Sequence, residues 1–369
     1  MPSDAPAGDV VLPCDDLDPT IEWFSAAGFR LDLITPADGP HTAVMSGHGL
    51  RLRFEPSADM PSGDSGWPAG PAGPAGVIRL PVPARPAADL GDESTAPNGT
   101  HVIWVDAGEG DLEPPFEPAT IVSRATDGWD PGRAGMGYRD LIPGRLGGHV
   151  IASHIHITEG GPVADYVHHH HISYQLIFCW RGWADLVYEG QGPPFRFVAG
   201  DCVLQPPHIR HRVLATSADF DVVEVASPAA HDTFVEHDLV LPTERAEPNR
   251  TWSGQRFVHH QAATATPQAR AGTPFLVRDL ELGAASVGAV TAGVVQPAAS
   301  RVEEAAPIAC DDGEARVRLR VVLAGTVDVE VDGAREALTE GDAVVASPGV
   351  SLGIAAWSAD AQWLEVLGR

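Results

Sequence analysis

The chain has no lysine; all 24 of its basic residues are arginine. Without a side-chain amine, Schiff-base catalysis, a pyridoxal-binding lysine and a P-loop lysine are all excluded. The same absence, beside abundant Ala, Gly, Pro and Arg, is what a GC-rich bacterial genome produces, so it needs no functional cause. Positive charge is scarce altogether: 24 basic residues against 50 acidic ones leave a formal net charge of −26. That argues against nucleic acid and anionic membrane as main partners, since both need basic patches. Cysteine is sparse as well. Cys14, Cys179, Cys202 and Cys310 form no C-x-x-C pair, which speaks against a disulfide framework and a zinc ribbon. No apolar run reaches the ~18 residues of a membrane span. The opening MPSDAPAGDV carries neither the basic nor the apolar region of a secretory signal. A soluble, cytoplasmic protein is expected.

What is present is a 369-residue chain, 44% apolar, long enough for two or three domains with real cores. Residues 9–56 read as strand (Val10–Pro13), helix, and three strands (Phe29–Ile34, Thr42–Ser46, Leu50–Phe54). Asp18-Pro19 supplies a cap and a first-turn proline for the helix, and Gly28 its C-terminal stop. Val77–Val82 and Thr100–Asp106 are candidate additional strands. Residues 57–100 read as linker, with WPAGPAGPAG as the least structured part. From about residue 120, short strand-like runs alternate with Gly, Pro and Asp turns, the pattern of a β-sandwich or barrel. FCWRGWADLVYEG…VAGDCVLQPP is answered by VVLAGTVDVEVDG…LTEGDAVVASPG, as two copies of one barrel would give.

The histidines carry the strongest signal. His168, His169, His170 and His171 are followed by Gln175, and Gly182 comes seven positions after that. The segment GDCVLQPPHIRH then runs from Gly200 through Pro206 to His211. Residues two apart on a strand share a face, so an H-x-H pair presents two imidazoles to one side. The turn at Pro206-Pro207 returns the chain so that His211 can lie opposite them. Three imidazoles suit a divalent first-row metal with positions left open. The run of four histidines leaves the phase undecided between His168 with His170 and His169 with His171.

These residues resemble the two motifs of the cupin superfamily, H-x-H-x(3,4)-E-x(6)-G and G-x(5)-P-x-G-x(2)-H-x(3)-N. Gln175 stands for the glutamate, His208 for the second-motif glycine and Ala215 for the asparagine. The second half has Ala315-Arg316-Val317-Arg318 and GDAVVASPGVSLGI at the corresponding places, without histidine. The DLDPTIEWFSAAGFRL and SGHGLRLRFE stretches resemble the βαβββ module of the glyoxalase/bleomycin-resistance (vicinal oxygen chelate) family, with Glu55 alone near a ligand position. The fold class expected is mainly β: two tandem cupin (double-stranded β-helix, jelly-roll) barrels preceded by a small α+β βαβββ module. The expected division is 1–107 for the partial glyoxalase-like module with its linker, 120–245 for the metal-binding barrel and 246–369 for a second, degenerate barrel.

The resemblance implies a metal site of His168, His170, His211 and Gln175. Fe(II) is the favoured ion, with Mn, Ni, Cu and Zn as alternatives. The implied activity is a non-haem Fe(II) dioxygenase acting on a small enol, phenol or thiol. The competing readings are a non-redox metal-dependent isomerase or lyase and a non-catalytic small-molecule-binding bicupin. Tyr174 and Arg210 are candidate catalytic residues, and Arg212 a second anion binder beside His211. His149, His154 and His156 are candidates for contact with the metal ligands. A homodimer is expected, since sheet edges need covering.

Overall fold

A computed structural model describes residues 8–36, 40–59, 76–81, 93–105, 115–132, 135–298, 307–310 and 313–369. The chain forms two compact units, 1–110 and 111–369.

In the first unit the strands Val10–Pro13, Leu50–Glu55, Thr42–Gly47 and Arg30–Thr35 lie side by side in that order. The first pair is parallel and the others antiparallel. The helix spans Leu17–Ala26 with extended Asp16 at its N-cap position, two residues ahead of the Asp18-Pro19 start expected. Pro19 thereby becomes the third helical residue. Its missing N–H costs nothing there, because the first four N–H groups of a helix have no partner within it. Leu17, Thr20 and Phe24 turn inward, and Phe24 meets Phe29 and Phe54 at 5.4 and 5.1 Å between ring centres. At the other end Gly28 adopts φ +87°. The Gly28 N–H donates to the Ser25 carbonyl and the Phe29 N–H to the Phe24 carbonyl, the paired closure that requires a left-handed residue.

The candidate strands near Val77–Val82 and Thr100–Asp106 are present, and a third, Glu93–Thr95, lies where only linker was expected. Gly76–Pro81 pairs in parallel with Thr100–Val105, and Glu93–Thr95 closes the other edge. Ile78, Leu80, Val102 and Trp104 join the same core as Leu12 and Phe24. The Pro-Ala-Gly repeat at residues 67–75 lies outside the described residues.

The second unit is built from two sandwiches of antiparallel strands. In the first, Ile151–Ile157, Phe220–Ser227, Tyr174–Arg181 and Cys202–Gln205 are neighbours in a long sheet. This sheet faces a second made by His168–His170, His211–Thr216, Trp183–Tyr188 and Phe195–Val198. Alternation sorts the side chains. Ile155, Cys179, Val203 and Val222 point between the sheets, toward Leu186, Tyr188 and Phe197. Leu176, Phe178, Trp180 and Leu204 point outward and meet Leu319, Val321, Leu364 and Val366 of the other sandwich in one shared core. The barrels are back to back.

The repeat is visible in detail. Gly182 and Gly325 both take a left-handed φ, and a Cβ on either would collide with a serine hydroxyl, Ser217 or Ser358. Each serine accepts the N–H of the residue after its glycine, at 3.0 and 2.9 Å. The edges are exchanged between the copies. Ile121–Ser123 pairs with Ala343–Val345 of the second barrel, and Val258–His260 pairs with the Cys202–Gln205 strand of the first. The two halves of the sequence thus each lend a strand across the boundary expected at 245/246.

A polar clasp accompanies the shared core. The Trp180 indole donates to the Leu323 carbonyl at 3.0 Å, and Arg139, 1% exposed, donates to the Gly341 carbonyl at 2.6 Å. Arg139 also points at His154 Nδ1, 3.3 Å away. A guanidinium only donates, so the His154 proton sits on Nε2 and goes to Asp221, 2.8 Å off. Burial pushes the His154 pKa below its ordinary value. Burial alone would raise Asp221, but hydrogen bonds from His154 and His156 outweigh it and hold that carboxylate low. Both groups bind protons more weakly in the folded state, so their stabilisation is present at neutral pH and is lost on acidification. The midpoint of urea unfolding is expected to fall as pH drops below about 6.5, the ordinary histidine value. His154→Gln, which keeps both hydrogen bonds, should flatten that dependence. An unchanged slope in the variant would remove His154 from the account.

Candidate metal centre

His168 and His170 lie two apart on one strand, and His168 stands directly across from His211 on the neighbouring antiparallel strand. All three are buried. Their ring centres are 4.3 Å (His168–His211), 5.1 Å (His168–His170) and 5.2 Å (His170–His211) apart. One ring nitrogen of each lies within 4.8 Å of the others, the sole such His, Cys, Asp or Glu group among the described residues.

The other nitrogen of each ring is held from outside the cluster. His168 Nδ1 is 2.8 Å from the Tyr166 carbonyl, and His211 Nδ1 is 3.0 Å from the Ile209 carbonyl. A carbonyl only accepts, so both rings carry their proton on Nδ1 and a lone pair on Nε2. His170 Nδ1 meets the Thr233 hydroxyl at 2.8 Å, an oxygen able to play the same part. This is the arrangement that orients a metal-binding imidazole and fixes its tautomer. A convergent set of three neutral nitrogens fits a divalent first-row ion.

The turn before His211 is tied to the first two histidines. The His208 N–H donates to the His170 carbonyl at 3.0 Å. His208 itself has φ +64°, a left-handed conformation that explains the glycine usual in the cupin motif and costs a non-glycine residue about 1–2 kcal/mol. The odd-numbered members of the histidine run turn the other way. His169 stacks on Phe234 at 5.2 Å and His171 on His208 at 5.2 Å. Burial, then the nearby Arg210 charge, hold the His169 pKa low.

Gln175 lies buried on the inner face of its strand, and its amide oxygen accepts from Gln205 Nε2 at 2.7 Å. Gln205 in turn accepts from the Tyr188 hydroxyl. The Tyr188 ring lies nearly parallel to His211, 19° between planes and 5.4 Å between centres. A line of neutral groups therefore runs from Gln175 to the ring beside His211. Replacing Gln205 with Leu is expected to weaken metal retention about tenfold, the scale of losing an outer partner of a metal site. Chelator titration measures it, and retention equal to the parent would show the line to be passive. Sequence reading missed Tyr188, Gln205 and Thr233, because their link to the histidines depends on cross-strand register.

Tyr174 and Arg210 are adjacent to site residues in sequence but face away from them. Tyr174 is fully buried in the core shared by the barrels, its hydroxyl packed where a Cβ on Gly368 would go, and burial drives its pKa upward. Arg210 pairs with Glu236 at 3.4 Å and donates to the His208 carbonyl. Arg212 is the second residue of the strand His211–Thr216 and is half-buried. His149 packs on Phe116, while His154 and His156 converge on Asp221 at the barrel junction. Cys179 and Cys202 are buried, and burial raises both thiol pKa values. Glu55 of the first unit pairs with Arg53 at 2.5 Å.

The second barrel fills the equivalent place differently. Arg318, second residue of its eight-residue strand as Gln175 is of the first barrel's, donates to the Ser347 and Val350 carbonyls. Leu352 begins the strand that His211 begins in the first barrel.

No protein-family model matches the chain, and no curated protein matches it. Among solved structures, a salicylate 1,2-dioxygenase from Pseudaminobacter salicylatoxidans is similar with a TM-score of 0.50 at 15% identity, over 71% of this chain and 88% of that one. An oxalate decarboxylase from Lactobacillus farciminis gives 0.49 at 14% identity, over 70% and 88%. At such identity the first likeness speaks to fold alone, and the fold is that of cupin jelly-roll barrels.

Proposed function

We propose that the chain is a metal-dependent cupin enzyme, with His168, His170 and His211 holding a divalent ion and Fe(II) as the favoured one. The reaction proposed is dioxygenation of a small enol, phenol or thiol. The observation that carries this reading is the set of three imidazoles whose Nδ1 atoms are engaged by Tyr166, Thr233 and Ile209. When bound, such an ion supplies a Lewis-acidic and redox-active centre with positions left for substrate and O₂.

The residues supply the rest. Three neutral ligands leave the ion's positive charge uncompensated, which favours a substrate that binds as an anion. Gln175 and Gln205 place a hydrogen-bonded pair of amides on the inner wall, and Asp165, 3.6 Å from His168 Nδ1, backs that imidazole. Ile177 and Val203 share that wall, and the Tyr188 ring shields His211. These groups keep water from the imidazoles and present an apolar surface to the substrate body. Neither Tyr174 nor Arg210 is assigned a role.

The test is O₂ uptake by Fe(II)-reconstituted protein with catechols, β-diketones and small thiols. Consumption of O₂ with a substrate of this class is expected. Substrate turnover without O₂ consumption would move the assignment to an isomerase or lyase. Tight binding that survives metal removal, with no turnover, would make it a binding protein.

A further inference from the structure

Among the described residues the second barrel has no histidine cluster, and they leave its interior unfilled. The inner faces of Phe275–Asp279, Val290–Pro297 and Gln362–Gly368 meet those of Ile308–Ala309 and Leu352–Trp357 around a half-open cavity of about 470 Å³. That is within the size range of small-molecule sites. Phe275, Ile308, Ile354 and Leu367 give it apolar walls.

Its polar groups are unevenly matched. The acceptors are already served: Glu365 takes bonds from Arg270 at 2.6 Å and pairs with Arg320 at 3.0 Å, and Asp279 accepts the Glu281 N–H at 2.8 Å. The donors are in excess. The Trp363 indole N–H, on a residue 2% exposed, has no hydrogen-bond partner among the described residues. Arg270 uses two of its five N–H groups on Glu365. Buried donors without acceptors are rare in folded proteins and mark a place where something else supplies the acceptor. An apolar chamber with surplus donors, one of them charged, calls for a molecule with an apolar body and an anionic oxygen pair.

We propose that this cavity is a second, metal-independent site that binds a small organic carboxylate, its carboxylate facing Arg270 and the Trp363 N–H and its body against Phe275 and Ile354. The site stands apart from the histidine cluster and does not rest on the dioxygenase reading.

Titration calorimetry on the full-length protein, with benzoate, benzyl alcohol and acetate as probes, tests it. Benzoate is expected to bind saturably. Benzyl alcohol lacks the charge and acetate the body, so each should bind at least about tenfold more weakly. Arg270→Gln should weaken benzoate by about tenfold or more, as removal of a charge-assisted donor does. Trp363→Phe keeps the packed ring and removes only the N–H, and it should weaken benzoate by several-fold with an unchanged melting temperature. His211→Ala and chelator treatment should leave benzoate binding as it is. Absence of saturable binding, equal binding by Arg270→Gln and Trp363→Phe, or loss of binding in His211→Ala would each overturn the proposal. The last would place the acid in the histidine barrel instead.

Discussion

Replacing His211 with alanine is expected to reduce metal content from near-stoichiometric to background, with metal affinity lower by at least about 100-fold, beyond what loss of an outer partner costs. His211 bridges the cluster. It faces His168 across the strand pair, its ring is the nearer neighbour of His168, and its Nδ1 is anchored on the Ile209 carbonyl. Removing the imidazole leaves two donors on one strand and nothing opposite them. His169→Ala is the control, since that ring stacks on Phe234 outside the cluster, and it should keep its metal. Elemental analysis of untagged protein measures both. Metal lost equally from the two variants would mean that the histidine run binds ions along its length, with no defined centre.

The second large effect concerns stability. Leu176 is fully buried in the core to which both barrels contribute. Leu176→Ala is expected to cost about 2–5 kcal/mol, the sum of lost transfer energy and residual cavity. The informative part is where the loss appears. Because the core is common property, amides of Val317–Ala324 and Gln362–Gly368 should lose hydrogen-exchange protection together with those of Tyr174–Arg181. Loss confined to the first barrel would show that the two open independently.

Much of this architecture was legible from local pattern. Strands such as Cys202–Gln205 alternate with punctual Gly and Pro turns, and the Gly200–Pro206–His211 spacing placed a histidine at a defined point on a barrel strand. The repeat of the glycine turn at Gly182 and Gly325 gave the duplication. What could not be read was anything that depends on register between distant strands. The link from Gln175 through Gln205 to Tyr188 spans three strands, and no spacing in the sequence predicts it. The orientation of Tyr174 was within reach, since strand alternation puts it on the face opposite its neighbour Gln175. Proximity in sequence misled there because a strand separates adjacent side chains by its full thickness. The helix start moved to Leu17 because proline is as well tolerated at the third helical position as at the first. The strand at Gly76–Pro81 showed in the apolar run from Val77, whereas the three-residue strand Glu93–Thr95 has too short a pattern to stand out.

The exchanged edge strands have a consequence for the history of such a chain. A lone barrel of this design lacks one strand of its own and has to borrow it from a second copy, so its ancestor as a single repeat would be a concentration-dependent pair. Fusing two repeats turns that encounter into an intramolecular one, at an effective concentration in the millimolar range for a short tether. Association then never fails, and the copies no longer need to be identical. One half can shed its histidines and acquire Arg318 and Leu352 in their place, while its outer face still completes the other half's fold.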